Sequence, residues 1–390
     1  MKQPDIIVVG SGFSGAVMAE RLASQSNKRV LILEQRAHIG GNCYDYKNAD
    51  GILIHQYGPH LFHTNKQHVW EYLSQFTQWH PYEHEVLSSV EGKLVPLPFN
   101  LNTLDALYPQ EQANEISKLL ISHFGEGAKV PILELKQSEE HLLRELSALV
   151  YDKFFVNYTV KQWGCKPEDI SPEVTARVPV VISRDNRYFN DPYQAIPAQG
   201  YAALFERMLA HENIEVQLNC DATKRIALDS ASGNILFDGA VFHGKLVFTG
   251  MLDALFGYIH GDLPYRSLRF DYEHVNVPFY QPATTVNYPN HEAYTRITEF
   301  KHILPVETPN TVIVKEYPQQ FDRFDDNCNI PYYPVFNEAN ITAHGAYIAC
   351  TQGFKQLVVL GRLADYKYYN MDDAVNNALA CYQKLASLDD

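Results

Sequence analysis

Length, composition and charge limit the kind of protein this chain can be. Its 390 residues are more than one compact core usually organises, which predicts two or three lobes. The formal net charge of −14 argues against binding to nucleic acid or to an anionic membrane. An anionic small-molecule substrate would therefore need a local cluster of arginines.

The sequence carries no targeting, membrane or metal signal. The opening residues, MKQPDIIVVG, contain no signal-peptide hydrophobic region, and no apolar run approaches the ~20 residues of a membrane span. The six cysteines form no C-x-x-C pair and match no zinc spacing. These features predict a cytoplasmic protein with no membrane span, no nucleic-acid partner and no metal.

A β-α-β unit opens the chain. Residues 5–10 form a β-branched run that ends in Gly-Ser-Gly, and residues 14–25 place their apolar side chains on one helical face. A second strand of the buried type, RVLILE, follows at 29–34. A strand, a helix and a strand in this order predict that a parallel sheet begins the protein.

The rest of the chain predicts a helical lobe and a mostly antiparallel sheet. Helical patterns dominate from about 102 to 163, whereas VPVVI, ATTVNY and TVIVKEY are typical of strands, and QLVVLG precedes a last helix from about 372 to 385. The predicted fold class is α/β, with a Rossmann-like dinucleotide-binding domain, a helical insert and a mostly antiparallel β-sheet domain. The predicted boundaries are 1–83, 196–250 and 340–390 for the dinucleotide-binding domain, 100–170 for the helical domain, and 84–99, 171–195 and 251–339 for the sheet domain.

The turn after the first strand carries a dinucleotide fingerprint. Gly10 permits a tight turn, Gly12 lets the backbone approach a pyrophosphate, and Gly15 allows the helix to pack closely on the strand. The free N–H groups at the start of the helix favour phosphate. Glu34 ends the second strand about 20 residues further on, where an acid can bind ribose hydroxyls.

Two later segments favour FAD over NAD as the dinucleotide. The doublet Gly40-Gly41 follows Glu34 at a distance that resembles the extended fingerprint of the glutathione-reductase-like flavoproteins. Gly361-Arg362 lies between a strand and a helix start, which resembles the segment that closes over the flavin in that class. A helix N-terminus there would stabilise negative charge on a reduced flavin.

The whole sequence resembles the bacterial UDP-galactopyranose mutases. The matching strings lie in the family's order from end to end: IIVVGSGFSGAV, EQRAHIGGNCYD, IHQYGPHLFHT, LPFNLNT, YTVKQWG, RVPV, RYFNDPYQAIP, YTRITE, VKEYP, PYYPV and GRLADYKYYNMD. The resemblance implies a homodimer that binds a nucleotide-diphosphate sugar and reduced FAD, and that serves cell-surface polysaccharide synthesis. It also implies that N5 of the reduced flavin attacks the anomeric carbon, that UDP leaves and returns, and that the sugar ring reopens and recloses in between.

The resemblance assigns roles to individual residues. It places His60 and His63 near the flavin and the sugar, and it makes Arg177 and Arg296 a clamp on the diphosphate, for which the guanidinium fork is suited. The implied FAD-binding residues are Gly10, Gly12, Phe13, Ser14, Gly15, Glu34, Gly41, Asn42, His60, Gly361, Arg362 and Met371.

The implied substrate-binding residues are mainly aromatic. Phe154 and Tyr158 are four residues apart, so on an α-helix they share a face, and the resemblance makes them a sandwich for the uracil. It also places Trp163, Tyr188, Tyr333 and Tyr368 along the sugar diphosphate. The segment KPEDISPEVTAR resembles the family's mobile loop, which we expect near 166–180.

Asn370 departs from the family pattern, which usually has an acid at this position. An amide offers one neutral acceptor and adds a donor, so the change affects sugar recognition or the electrostatics near the phosphates. The identity of the sugar therefore stays open between UDP-galactopyranose and the substrates of a sister mutase, such as dTDP-fucopyranose or UDP-N-acetylgalactosamine. A FAD-dependent oxidoreductase is a second alternative, because it would share the dinucleotide fingerprint.

Overall fold

Residues 3–164 and 179–389 are described in the computed structural model of this chain. In chain order, the strands are Ile6–Val9, Val30–Leu33, Asp45–Lys47, Leu53–His55, Phe62–Thr64, Trp79–Pro81, Val86–Val90, Lys93–Leu97, Lys129–Pro131, Pro179–Val181, Tyr193–Pro197, Ile214–Gln217, Ile226–Asp229, Asn234–Phe237, Ala240–Phe242, Lys245–Phe248, Tyr265–Val275, Thr285–Asn287, Arg296–Glu299, Thr311–Gln320, Tyr333–Pro334 and Leu357–Val359. The α-helices are Phe13–Ser24, Gln67–Leu73, Leu101–Leu107, Gln110–Phe124, Ile132–Lys136, His141–Val150, Asn157–Trp163, Tyr201–Met208, Leu252–Leu255, Glu338–Thr351 and Met371–Asp389. A π-helical segment spans Tyr151–Val156, and 3₁₀ turns span Gly41–Cys43, Ala222–Lys224 and Phe300–His302.

A five-stranded parallel sheet organises the first lobe. Its strands lie in the order Ile214–Gln217, Val30–Leu33, Ile6–Val9, Lys245–Phe248 and Leu357–Val359. Both faces are covered, because Ile6 and Val8 belong to one apolar core and Ile7 to another. This is why the strand sequences IIVV and VLIL are apolar throughout, and it confirms the predicted Rossmann-like unit.

The parallel arrangement brings distant parts of the sequence to one edge of the sheet. Since all five strands run the same way, the residues that follow their carboxyl ends meet there. Gly10, Glu34, Thr249 and Gly361 follow four different strands at this edge. The two helices that begin closest to the edge, Phe13–Ser24 and Met371–Asp389, pack on each other.

A seven-stranded sheet forms the second layer. Its order is Tyr333–Pro334, Tyr265–Val275, Thr311–Gln320, Arg296–Glu299, Thr285–Asn287, Val86–Val90 and Lys93–Leu97. Every pair is antiparallel except Val86–Val90 with Thr285–Asn287. The helical insert has its own apolar core, built around Leu104, Leu120 and Leu146. None of the described helices is long and apolar enough to cross a membrane.

Two segments predicted for the sheet domain pair elsewhere. Pro179–Val181 forms a two-stranded sheet with Lys129–Pro131 beside the helical insert. Tyr193–Pro197 pairs with Phe62–Thr64 and Trp79–Pro81. The string VPVVI predicted the first of these strands but not its partner, because pairing depends on contacts between distant parts of the chain. The division into three domains stays a prediction, and most of the loop predicted near 166–180 lies outside the described residues.

Candidate active site

The glycine-rich turn forms one wall of a large cavity. Gly10 has φ +93°, and a Cβ on Gly15 would overlap the carbonyl oxygen of Gly10, so neither position accepts a side chain without strain. The helix Phe13–Ser24 begins at Gly12 without a side-chain cap, which leaves its first N–H groups available to a phosphate. The Phe13 ring packs 4.8 Å from that of Phe205, so this side chain serves the core beneath the turn.

A second glycine turn closes on the first. Gly41 has φ +56°, and a Cβ there would lie 3.0 Å from the Cα of Gly12. Asn42 accepts a hydrogen bond of 2.7 Å from Nη2 of Arg36, whose guanidinium lies 4.2 Å from the Tyr57 ring centre. The two turns therefore offer mainly backbone to whatever lies between them.

Glu34 is a fixed carboxylate at the end of the second strand. Its Oε2 accepts from the backbone N–H and the hydroxyl of Ser11, at 2.9 and 2.6 Å. Its Oε1 accepts from the N–H of Arg36 at 2.9 Å. Glu34 lines the cavity, so its oriented oxygens can accept from the hydroxyls of a ribose.

The cavity bounded by these turns has a volume of about 750 Å³. It extends from Glu34 past the glycine turns to Gly361, Arg362 and Met371, which places all twelve predicted FAD-binding residues on its wall. This volume lies in the upper part of the range for ligand cavities. The dinucleotide hypothesis therefore fits the donor set and the space.

The C-terminal helix begins between this cavity and a second one. Met371 starts the helix Met371–Asp389, and two acids in its first turn share one cation, Lys66, whose Nζ lies 2.6 Å from Asp372 and 2.9 Å from Asp373. Nearby, Asp365 accepts from the N–H of Gly361 at 3.1 Å and holds the turn before the helix.

The second cavity, of about 280 Å³, adjoins the first. Six residues line both: Tyr57, His60, Arg362, Tyr369, Asn370 and Met371. A ligand in the second cavity therefore lies next to one end of a cofactor in the first. The predicted residues His63, Tyr188, Arg296, Tyr333 and Tyr368 also line this second cavity.

The two predicted histidines lie in different surroundings. The N–H of His60 donates to Nδ1 of His55 at 2.9 Å, and Nδ1 of His60 lies 2.9 Å from the carbonyl of Gly58. Burial lowers the pKa of His60 to about 4, so the ring is neutral at pH 7. His63 lies 2.7 Å from Asp191 through Nδ1 and stacks at 3.6 Å on Phe189.

Arg296 lines the second cavity, as does Arg362. Its Nη2 donates to the Tyr158 hydroxyl at 2.5 Å, and its Nε lies 3.6 Å from Oε2 of Glu316. Burial raises the pKa of Glu316, and Arg296 acts against that shift. Glu316 was not predicted as a site residue, although it is a charged residue on the same side of its strand as the buried Val312 and Val314.

An aromatic wall adjoins Arg296. The rings of Tyr333 and Tyr368 stack at 5.9 Å, and the guanidinium of Arg362 lies 5.6 Å from the Tyr333 ring centre. Trp163 ends its helix with its ring 6.4 Å from Tyr333. Tyr368 is 56% exposed, so this wall is open to an incoming ligand.

The structure does not bring Phe154 to this wall. Its ring is 9% exposed and meets Phe99 edge-on at 5.4 Å in the core of the helical insert. The π-helical segment Tyr151–Val156 changes the spacing on which the shared face of Phe154 and Tyr158 depended. The uracil sandwich stays a prediction, and Arg177 lies outside the described residues.

Three residues that line the second cavity were not predicted from the sequence: His84, Asn287 and Tyr369. His84 lies just before the strand Val86–Val90 and Asn287 ends the neighbouring strand Thr285–Asn287, and no local motif marks either residue. Tyr369 donates to Asp365 at 3.0 Å. It lies beside Asn370 in the string YKYYNMD, so its position next to a predicted site residue could have indicated it.

Comparison with known proteins identifies relatives that carry the same family description. A family model described as UDP-galactopyranose mutase matches residues 153–368, and one described as an NAD(P)-binding Rossmann-like domain matches residues 8–76. A probable UDP-galactopyranose mutase of Klebsiella pneumoniae is 34% identical over 97% of this chain and 94% of its own length. A UDP-galactopyranose mutase of Mycoplasma genitalium is 35% identical over 98% of this chain and 95% of its own.

A dTDP-fucopyranose mutase of Escherichia coli is similar to a comparable degree, 33% identical over 97% of both chains. Among solved structures, a reduced UDP-galactopyranose mutase superposes with a TM-score of 0.71 at 16% identity, over 100% of this chain and 95% of that one. At that identity the superposition supports the fold alone.

Proposed function

The chain belongs to the UDP-galactopyranose mutase family, and on that premise we propose that it interconverts UDP-galactopyranose and UDP-galactofuranose. It is an isomerase, and its cofactor is FAD. The observation that carries the proposal is the junction of the two cavities, one with a dinucleotide cradle and the other with a partly buried arginine. A diphosphate sugar held by Arg296 would lie against the cofactor.

The residues of the first cavity fit FAD. The glycine turns at Gly12 and Gly41 admit a pyrophosphate between them, and Glu34 presents carboxylate oxygens for the ribose. When bound and reduced, FAD supplies a nucleophilic flavin nitrogen for the anomeric carbon of the sugar.

Arg296 would bind the diphosphate and stabilise it as it leaves and returns. Its fork is oriented by Tyr158 and by Glu316, so little entropy is lost when phosphate binds. The neutral His60 would contribute hydrogen bonding rather than proton transfer to the leaving group, because it is not protonated at pH 7. Arg177 would complete the clamp from the segment between 164 and 179.

A sister specificity is the second candidate. Asn370 lines both cavities and replaces the usual acid of the family, and a dTDP-fucopyranose mutase is among the similar proteins. An amide changes both the charge and the hydrogen bonds available to a sugar. Of the two candidate substrates, we propose UDP-galactose. We also propose that the protein serves cell-surface polysaccharide synthesis and that it is a homodimer in the cytoplasm.

Anaerobic turnover tests the proposal. The purified protein is offered UDP-galactofuranose or dTDP-fucofuranose, with and without dithionite, and the products are separated by chromatography. Conversion of the UDP sugar only after reduction is the expected result. Conversion of the dTDP sugar alone would move the chain to the sister specificity, and net consumption of the reductant with either sugar would favour an oxidoreductase.

A further inference from the structure

His63 lies on the wall of the second cavity with one of its two ring nitrogens already bonded to the protein. Its Nδ1 is 2.7 Å from Oδ2 of Asp191, and the two side chains are only 16% and 27% exposed. An ionised carboxylate accepts hydrogen bonds and cannot donate them, so Nδ1 carries a proton and donates it to Asp191. Nε2 is therefore the nitrogen of His63 that a ligand in this cavity can meet.

A short turn brings Asp191 to this histidine. Gln194 lies opposite His63 in an antiparallel pair of strands, and the chain just before it folds back over the ring of His63. The side-chain amide of Gln194 donates to the carbonyl of Phe189 at 3.2 Å and to that of Asp191 at 3.0 Å, which closes the turn. Pro192 restricts the backbone directly after Asp191. The position of the carboxylate is thus set by contacts within the protein.

The same turn fixes the plane of the imidazole ring. The ring of His63 stacks on that of Phe189, with centroids 3.6 Å apart and planes 14° from parallel. The last side-chain torsion of a histidine is roughly two-fold, so a stack alone permits two orientations related by a flip of the ring. Only one of them places Nδ1 at Asp191, because the flip would put a carbon atom there. Asp191 therefore selects the orientation of the ring as well as the position of its proton.

A carboxylate bonded to one nitrogen of a histidine typically holds the imidazole in one tautomer and one orientation. In the neutral ring of His63, Nε2 is then the unprotonated nitrogen and a hydrogen-bond acceptor. We propose that Asp191 is a positioning residue, which keeps the proton of His63 on Nδ1 and presents Nε2 to the second cavity as a fixed acceptor. The acceptor suits a hydroxyl of the substrate or an N–H of the reduced cofactor, and in this respect the proposal rests on the function proposed above.

NMR of protein labelled at the histidine nitrogens tests the tautomer directly. The chemical shift of each ring nitrogen shows whether it carries a proton, and the signals of His63 are those that disappear in His63→Gln. At pH 8 we expect a protonated Nδ1 and an unprotonated Nε2 in the native protein. Asp191→Leu, which has a side chain of similar size that neither donates nor accepts, should lose this preference. A proton on Nε2 of the native protein, or the same tautomer in both proteins, would overturn the proposal.

Additions to the same sample identify the donor that meets Nε2. UDP and then UDP-galactose are added to the oxidised protein, and a separate sample without ligand is reduced with dithionite. A change in the Nε2 signal with UDP-galactose but not with UDP assigns the donor to a hydroxyl of the sugar. A change on reduction alone assigns it to the cofactor. An Nε2 signal that stays the same in every state would show that this nitrogen accepts from neither, against the proposal.

Turnover of the reduced enzyme supplies a second measurement. In Asp191→Leu we expect kcat/KM to fall about tenfold, because one oriented hydrogen bond is lost, and the dissociation constant of UDP to stay within about twofold. Asp50→Leu is the matched control, since Asp50 bonds His274 at the same 2.7 Å outside both cavities, and it should keep the native kcat/KM. Native kcat/KM in Asp191→Leu would count against the role of Asp191. The expected tautomer in a protein that converts neither sugar would contradict only the proposed function.

Discussion

Arg296 and Glu316 face each other across two neighbouring strands of the seven-stranded sheet. They are register partners, and Nε of Arg296 lies 3.6 Å from Oε2 of Glu316. Within residues 3–164 and 179–389, neither Nε of Arg296 nor Oε1 of Glu316 has a hydrogen-bond partner. The pair is therefore a charged arrangement on the cavity wall that holds unused hydrogen-bonding capacity for a substrate.

Arg296→Ala should abolish measurable turnover while the protein still binds FAD. Removing a partly buried cation that pairs with an anion typically costs about 2–5 kcal/mol or more, which is about 30-fold or greater in the affinity for UDP. The checks are turnover with reduced enzyme, the dissociation constant of UDP, and the flavin absorbance spectrum. Arg269→Ala removes an exposed arginine from the strand Tyr265–Val275 of the same sheet and is the control. Retained turnover in Arg296→Ala would show that the diphosphate clamp is misplaced.

The same substitution should destabilise the fold, because it leaves Glu316 buried without its cation. We expect the free energy of unfolding to fall by about 1–3 kcal/mol, since the arginine side chain is partly exposed. Adding Glu316→Gln to Arg296→Ala should recover much of this loss without restoring turnover. Denaturant unfolding of the single and double variants measures it. A double variant no more stable than Arg296→Ala would mean that Glu316 is not held as a carboxylate by Arg296.

The glycine turns should be sensitive to the smallest side chain. Gly41→Ala places a Cβ 3.0 Å from the Cα of Gly12 at φ +56°, so we expect reduced FAD content and weaker FAD binding in reconstituted apoprotein. Gly345→Ala is the matched control, because this glycine lies in the helix Glu338–Thr351 with open space around its Cα. It should stabilise the protein by about 0.5–1 kcal/mol. Equal FAD content in the two variants would contradict the close approach of the turns.

The cofactor cradle could be predicted from sequence because its parts are local. Gly10, Gly15 and Glu34 belong to one β-α-β unit, in which glycine spacing and strand ends fix the geometry. Glu316 and His84 could not be found in this way. Their roles depend on strand register and on a cavity wall assembled from distant segments.

Phe154 shows a different limit of sequence reasoning. Its predicted partnership with Tyr158 assumed the α-helical period, and a π-helical segment is not evident from residue types. The pairing of Pro179–Val181 with Lys129–Pro131 could not be predicted either, since the string VPVVI predicts a strand but does not indicate its partner. The positions of helices and strands could therefore be predicted better than the contacts between them.

His55 gives the fold an expected sensitivity to acid. It is fully buried, and its Nδ1 accepts the N–H of His60, so a second proton would have to displace that hydrogen bond. Burial lowers the pKa of His55 to about 3, with a further contribution from His60. An unfolded histidine has its pKa near 6.5. Below that pH the unfolded chain binds a proton that the folded chain does not, so the stabilisation is complete above pH 6.5 and is lost as the pH falls towards 3.

His55→Asn should reduce this dependence, because the amide oxygen of Asn can accept the His60 N–H but does not titrate. Between pH 6 and pH 4 the free energy of unfolding of the native protein should fall more steeply than that of the variant, by about 1.4 kcal/mol per pH unit for the one proton removed. Urea unfolding at each pH measures both slopes, and His243→Gln, at an exposed histidine, should keep the native slope. Since His60 and His84 also have lowered pKa values, the variant should retain some acid sensitivity. Identical slopes for the native protein and His55→Asn would mean that His55 is protonated in the folded state. The hydrogen bond from the His60 N–H would then not keep His55 neutral.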